Sequence, residues 1–209
     1  EGSYTSYVQM LNNYVSQNKE QINNIVAQGF VSGKTTREIA SGVLSEIDSR
    51  TAKARKQAMN IARTGTNHYA NSARKTYFDN EPIVIGTRRI ATIDTATSGI
   101  CRGIDNTVVL KTDSGFNKAF APFHPNCRTA NIPEVDARYK FEDDGGERPE
   151  NFRNAKTGLL EPGTVSSKKI YYDALYDLDS KSQDLVLGPT LGKAFRKGIK
   201  EGSLTPESF

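Results

Sequence analysis

The chain has 209 residues, a net charge of +4 from 28 Lys+Arg against 24 Asp+Glu, and 36% hydrophobic residues. Its mean hydropathy is −0.58, and its apolar runs, such as Ile83-Val84-Ile85, fall far short of the roughly 20 residues that a membrane-spanning helix requires. Two cysteines, Cys101 and Cys127, exclude a disulfide-rich scaffold.

Residues 1–78 read as a helical region. The chain opens Glu1-Gly2-Ser3-Tyr4 without an initiator methionine, which reads as a processed or trimmed end. Val8, Leu11, Val15, Ile22, Ile25 and Val26 then recur at helical spacing, with Gly29 as a stop. Thr35 or Thr36 caps a second helix that buries Ile39, Val43, Leu44 and Ile47. A third helix runs over about 51–78, and Gly65 inside it costs about 1 kcal/mol against alanine. From Asn80-Glu81-Pro82 onward the residues become β-branched and turn-rich. Strands are expected at 83–93 and 108–112, in a small loop-rich β unit spanning 79–135. Residues 136–166, rich in Gly, Asp, Glu and Asn between 140 and 163, read as an extended polar arm. Residues 167–209 form a helical tail, with helices around 167–178 and 191–199. The fold class is therefore α+β.

Charge is concentrated in one stretch. Between residues 34 and 75, nine Lys/Arg stand against three acids, a net +6 that exceeds the charge of the whole chain. Lys34, Arg37, Lys53, Arg55, Lys56, Arg63, Arg74 and Lys75 are the candidate contacts to nucleic acid or to an acidic partner surface. A solvated helix face is the other reading. No zinc-finger spacing or helix-turn-helix pattern accompanies them, so the charge implies no base reading.

The densest chemistry lies between residues 90 and 133. Cys101, His124 and Cys127 are three candidate zinc ligands, the last two as an H-x-x-C knuckle. C-x-x-C spacing would place the fourth ligand at position 98, which is serine, leaving Asp94 or Asp105 to complete a site. Two other readings stay open: a Cys101–Cys127 disulfide, worth about 3 kcal/mol by the chain-entropy argument, or thiols that are simply packed. No glycine loop for phosphate and no catalytic constellation is present, so the chain is not expected to be an enzyme.

Several motifs in order carry a family resemblance. Ile61-Ala62-Arg63-Thr64, then Asn67, Ala70, Asn71, Arg74 and Tyr77, resemble the helix that opens the Mu F-like phage head morphogenesis domain. Arg89-Ile90-Ala91-Thr92-Ile93-Asp94 is similar to its W-x-A-T-L-D strand, and residues 97–106 to its T-C-x-x-C-x-x-L-D-G segment. Pro122-Phe123-His124-Pro125-Asn126-Cys127-Arg128 resembles its closing P-x-H-P-N-C-R motif, and residues 186–196 a C-terminal segment of some members. Arg89, Ser98 and Asn106 depart from the pattern, which has an aromatic, a cysteine and a glycine there. The resemblance implies a non-enzymatic minor head protein of a tailed bacteriophage, in the capsid interior or portal region of the virion and in host cytoplasm during assembly. Its implied partners are the portal protein, capsid proteins and packaged genomic DNA, with roles in head assembly, DNA packaging or DNA ejection. With Ser98 in place of a cysteine, no cofactor is expected, and zinc at Cys101, His124 and Cys127 is the alternative. Rival functions are a fragment of a phage-encoded toxin or effector enzyme and a nucleic-acid-binding module.

Overall fold

The computed structural model describes residues 7–15, 17–47, 51–139, 146–153 and 160–203. Helices α1 (Tyr7–Tyr14), α2 (Lys19–Val31), α3 (Thr36–Glu46) and α4 (Ala52–Asn80) come first. Strands β1 (Val84–Ile90) and β2 (Ile93–Asp94), helix α5 (Gly99–Gly103), and strands β3 (Val108–Leu110), β4 (Ala130–Val135), β5 (Glu147–Arg153) and β6 (Leu160–Ser166) follow. Helices α6 (Tyr171–Tyr176), α7 (Ser180–Leu187) and α8 (Pro189–Lys200) close the order. Helical and strand segments both form as the α+β reading expects. Among the described residues no helix is long and apolar enough to cross a membrane. The chain divides into two compact units that interleave in sequence: Glu1–Arg89 with Val108–Ala137, and Ile90–Thr107 with Arg138–Phe209. The sequence boundaries 1–78, 79–135, 136–166 and 167–209 follow chain order and do not capture this interleaving.

In the first unit, local chemistry sets the helix starts. Thr35 and Glu38 form a capping box: the Thr35 hydroxyl accepts from the Glu38 amide at 3.3 Å, and the Glu38 carboxylate accepts from the Thr35 amide at 2.8 Å. The Thr51 hydroxyl caps α4 by accepting from the Ala54 amide at 3.2 Å. The periodicity read as one helix through Val26 is interrupted between α1 and α2, where Asn18 takes a left-handed φ of 57°. Gly29 does not stop α2; a Cβ there would lie 2.6 Å from Ile39 Cγ1. Gly65 has the same use in α4, since a Cβ there would lie 2.5 Å from Val26 Cγ1 and 2.9 Å from the Tyr7 ring. The roughly 1 kcal/mol that glycine costs a helix is thus offset by close packing around it. Tyr7, Met10, Ile22, Val26, Ile39, Val43 and Ile61 are the largest fully buried apolar side chains of this core. The sheet order is β3-β1-β4, with β1 and β3 antiparallel and Thr87 opposite Val109. β4 was not among the strands expected from the sequence; it contains Pro133, whose missing N–H is harmless at the edge position.

His68 packs inside this unit, 5.2 Å from the Tyr7 ring centroid and 5.3 Å from that of Tyr69. Burial holds its pKa below the ordinary histidine value. The unfolded chain therefore binds the proton more readily, and stability falls as pH drops through the unfolded histidine value. Thermal melts of the intact chain are expected to show a loss between about pH 7 and pH 5.5, flattened in His68→Phe. Equal slopes in both proteins would contradict the assignment.

The second unit is built on a sheet of order β2-β5-β6, with β2 parallel to β5 and β5 antiparallel to β6. Register runs from Glu147 opposite Ser166 to Arg153 opposite Leu160. Strand pairing thus occupies part of the segment read as an extended arm; residues 140–145 and 154–159 of that segment lie outside the described residues. Ile93, Tyr171, Leu175, Val186 and Phe195 form the core, with Val165, Leu187 and Ile199 against it. The 167–178 reading contracts to α6, and α7 occupies what read as tail. Asp179 caps α7 by accepting from the Lys181 and Ser182 amides at 2.8 and 3.0 Å. Gly188 then ends α7, and Pro189 opens α8 at a position where its missing N–H costs nothing.

One buried ion pair explains why the single strand expected at 83–93 is cut in two. The Asp105 carboxylate accepts from the Ala91 amide at 2.8 Å and from the Tyr171 amide at 2.7 Å. It also accepts from both terminal nitrogens of Arg148, at 2.8 and 2.9 Å. Arg148 in turn donates to the carbonyls of Ala91 and Lys169. Both polar groups of Ala91 are therefore spent on this pair instead of a ladder, so β1 ends at Ile90 and β2 resumes at Ile93. The two side chains are 2% and 1% exposed, the condition in which a charge is tolerated only when paired; of the guanidinium nitrogens, only Nε is buried without a partner among the described residues.

Candidate functional site

The P-F-H-P-N-C-R segment, residues 122–128, belongs to the first unit and lies along α4. Asn60, Thr64, Asn67 and Asn71 recur at spacings of four, three and four, which puts them on one helix face. The Asn126 amide donates to Thr64 Oγ1 at 2.9 Å, and Asn126 Nδ2 to Asn60 Oδ1 at 3.0 Å. Asn67 Nδ2 donates to the Thr129 carbonyl at 3.0 Å, and the Asn131 amide to Asn71 Oδ1 at 3.1 Å. Asn126 takes a φ of 59°, a left-handed conformation that asparagine accepts more readily than most residues. Asn131, fully buried at the start of β4, accepts from the Ala121 amide at 2.9 Å and donates to Thr87 Oγ1 and the Ala119 carbonyl, both at 3.0 Å. The asparagines of α4 thus perform for this loop what a ladder performs for a strand. Thr64, Asn67 and Asn71 were quoted in the sequence only as parts of a pattern and Asn60 not at all; the four-three-four spacing of the four residues was the signal available.

His124 and Cys127 come together within this segment. The Cys127 amide donates to the His124 carbonyl at 3.1 Å, and His124 Nδ1 lies 2.8 Å from the Pro125 carbonyl. The hydrogen bond with the Cys127 side chain is the largest influence on the imidazole and raises its pKa, with burial opposing. Arg89, where an aromatic was expected, places its guanidinium 6.0 Å from the Phe123 ring centroid.

Cys101 belongs to the second unit, buried in the first turn of α5. Cys101 and Cys127 are both buried, and no disulfide joins them. The residues considered for a fourth zinc ligand are otherwise engaged. Ser98 caps α5, its hydroxyl accepting from the Cys101 amide at 3.2 Å. Asp94 Oδ1 accepts from the Ala96 amide at 2.9 Å and the Thr97 hydroxyl at 3.1 Å. Asp105 is consumed by Arg148 and two backbone amides. Ser98 Oγ, Asp94 Oδ1 and both oxygens of Asp105 therefore all take part in local hydrogen bonds.

The basic candidates are on the first unit's helices or their starts. Lys34, Arg37, Lys53, Arg55, Lys56, Arg63 and Arg74 are exposed, and Lys75 is half-buried. Lys56, Arg63 and Arg74 are spaced by seven and eleven residues, close to two and three helical turns, and so share one face of α4. Lys75 is committed locally, 2.6 Å from Asp79 and above the Phe116 and Phe120 rings at 5.6 and 5.8 Å. Asp79 is the sole acid in α4. In the second unit, α8 exposes Lys193, Lys197 and Lys200 at spacings of four and three, a face the sequence reading passed over.

No curated protein and no solved structure matches the chain. Residues 20–132, more than half of its length, match the family described as Phage Mu protein F like protein. That span contains the α4 face with its asparagines and the whole 122–128 segment docked on it, and the chain belongs to this family of bacteriophage head morphogenesis proteins.

Proposed function

We propose that this protein is a non-enzymatic minor head protein of a tailed phage, seated at the portal or capsid interior and acting in head assembly, DNA packaging or DNA ejection. The observation that carries the reading is the family match over residues 20–132. The asparagine-bound loop supports it, since a motif tied down by hydrogen bonds along a helix suits an assembly unit better than a reaction centre. Quantitative mass spectrometry of purified virions, with a portal pull-down from infected cells, is expected to find a few copies per particle and the portal protein alongside. Absence from particles would overturn the reading.

Packaged DNA is the second proposed partner, through the cationic face of α4. Lys56, Arg63 and Arg74 extend along about 27 Å of helix at 1.5 Å per residue, long enough to meet several phosphates. Binding of duplex DNA by the purified chain is expected to weaken steeply with salt, each phosphate contact contributing about −0.9 to the slope of log K against log salt. Neutralising Lys56, Arg63 and Arg74 together to Gln is expected to make that slope shallower by about 2 to 3. An unchanged slope would assign these residues to a solvated face.

We also propose that no metal is resident. Elemental analysis of the purified chain is expected to give well under one zinc per molecule, because Ser98, Asp94 and Asp105 are engaged elsewhere. One tightly held zinc per chain would overturn this.

A further inference from the structure

The first unit contains a cavity of about 410 Å³, within the range of small-ligand sites. Tyr7, Phe120 and Phe123 give it apolar walls, while Ser72, Lys75 and Lys118 add polar groups. Its lining includes two lysines and no acid. Asp79 already neutralises Lys75 at 2.6 Å, but Lys118 is exposed and forms no ion pair with a described acid. Burial keeps the neighbouring His68 on the neutral side of its ordinary titration, so the positive field comes from the lysines. An apolar chamber with a one-signed edge discriminates ligands by two independent terms: buried area rewards a hydrocarbon body, and charge complementarity selects the sign of the head group.

We propose that this cavity binds a small amphipathic anion, a monocarboxylate with a medium-length hydrocarbon body, its chain against Tyr7, Phe120 and Phe123 and its carboxylate towards Lys118. The proposal does not rest on the DNA and portal readings, so its failure leaves those untouched.

The test is calorimetric titration of the full chain at pH 7.5 with decanoate, decanol and decyltrimethylammonium, each below its micelle concentration. One decanoate is expected to bind per chain, about fivefold or more tighter than the neutral and cationic probes. Lys118→Glu is expected to erase that preference, and Ser72→Trp, a bulky side chain entering from an exposed helix position, to abolish binding. Both positions are exposed, and circular dichroism establishes that each variant keeps its helix content. Equal binding of all three probes would overturn the anion preference. Decanoate binding unaltered by Ser72→Trp would place the ligand elsewhere, and absence of binding by every probe would overturn the proposal outright.

Discussion

Asp105→Asn is expected to destabilise the second unit by about 3–5 kcal/mol, the usual cost of removing one partner from a fully buried ion pair. The side chains keep nearly the same volume, so the loss is electrostatic. Arg148 would remain in place, 2% exposed and without its counter-charge, and one asparagine oxygen cannot replace two carboxylate oxygens that together accept four hydrogen bonds. The double variant Asp105→Leu/Arg148→Met separates the charge from its surroundings. In many buried pairs such a swap is close to neutral. Here it is expected to retain a cost of about 2 kcal/mol or more, because the amides of Ala91 and Tyr171 would lose their acceptor. Amide hydrogen exchange in β2, β5 and α6 reports the effect directly, without treating a two-unit chain as a single two-state transition. A loss below about 1 kcal/mol for Asp105→Asn would show that water or rearrangement relieves the arginine, and the central role assigned to the pair would fall.

Asn131→Asp is the corresponding change in the first unit, with an expected cost of about 3 kcal/mol. The two residues are almost the same size, and Oδ1 could still accept from the Ala121 amide. The difference falls on Nδ2, which donates to the Thr87 hydroxyl and the Ala119 carbonyl. An aspartate would bring a second oxygen against that carbonyl and bury a charge at a position 0% exposed. A packing role alone would make Asp harmless and Asn131→Ala costly; hydrogen-bond satisfaction makes both costly. Hydrogen exchange at β4 and at the carboxyl half of α4 distinguishes the two, since Asn71 connects them through the Asn131 amide.

The two sites also show how far reading along the chain reaches. Helices were legible where side-chain chemistry acts within one or two turns. The cap read at Thr35 or Thr36 is Thr35, which bonds three residues on, and the apolar period through α3 and α4 depends only on 3.6 residues per turn. The P-x-H-P-N-C-R motif likewise led to the family that the chain proved to match. Strands were less legible because their partners are distant in sequence. β4 contains a proline that only its edge position excuses, and β5 and β6 exist through a pairing that composition could not announce beneath a polar, acid-rich sequence.

What the sequence determined by itself was therefore the α+β class, the starts of α3 and α4, the basic character of α4 and the family. The tertiary structure alone decided that Gly29 and Gly65 are contact points for Ile39, Val26 and Tyr7, where helix propensity read a stop and a soft spot. It also decided that the strand expected at 83–93 breaks at Ala91, where the Asp105–Arg148 pair takes both backbone groups. The physical reason is common to all of these. Propensity and capping are set by neighbours within about four residues, whereas burying Asp105 requires Arg148, 43 residues away, and holding Asn126 requires Thr64, 62 residues away. Burying a polar group is costly unless it finds hydrogen-bond partners, and which groups supply them is settled by the folded chain in three dimensions.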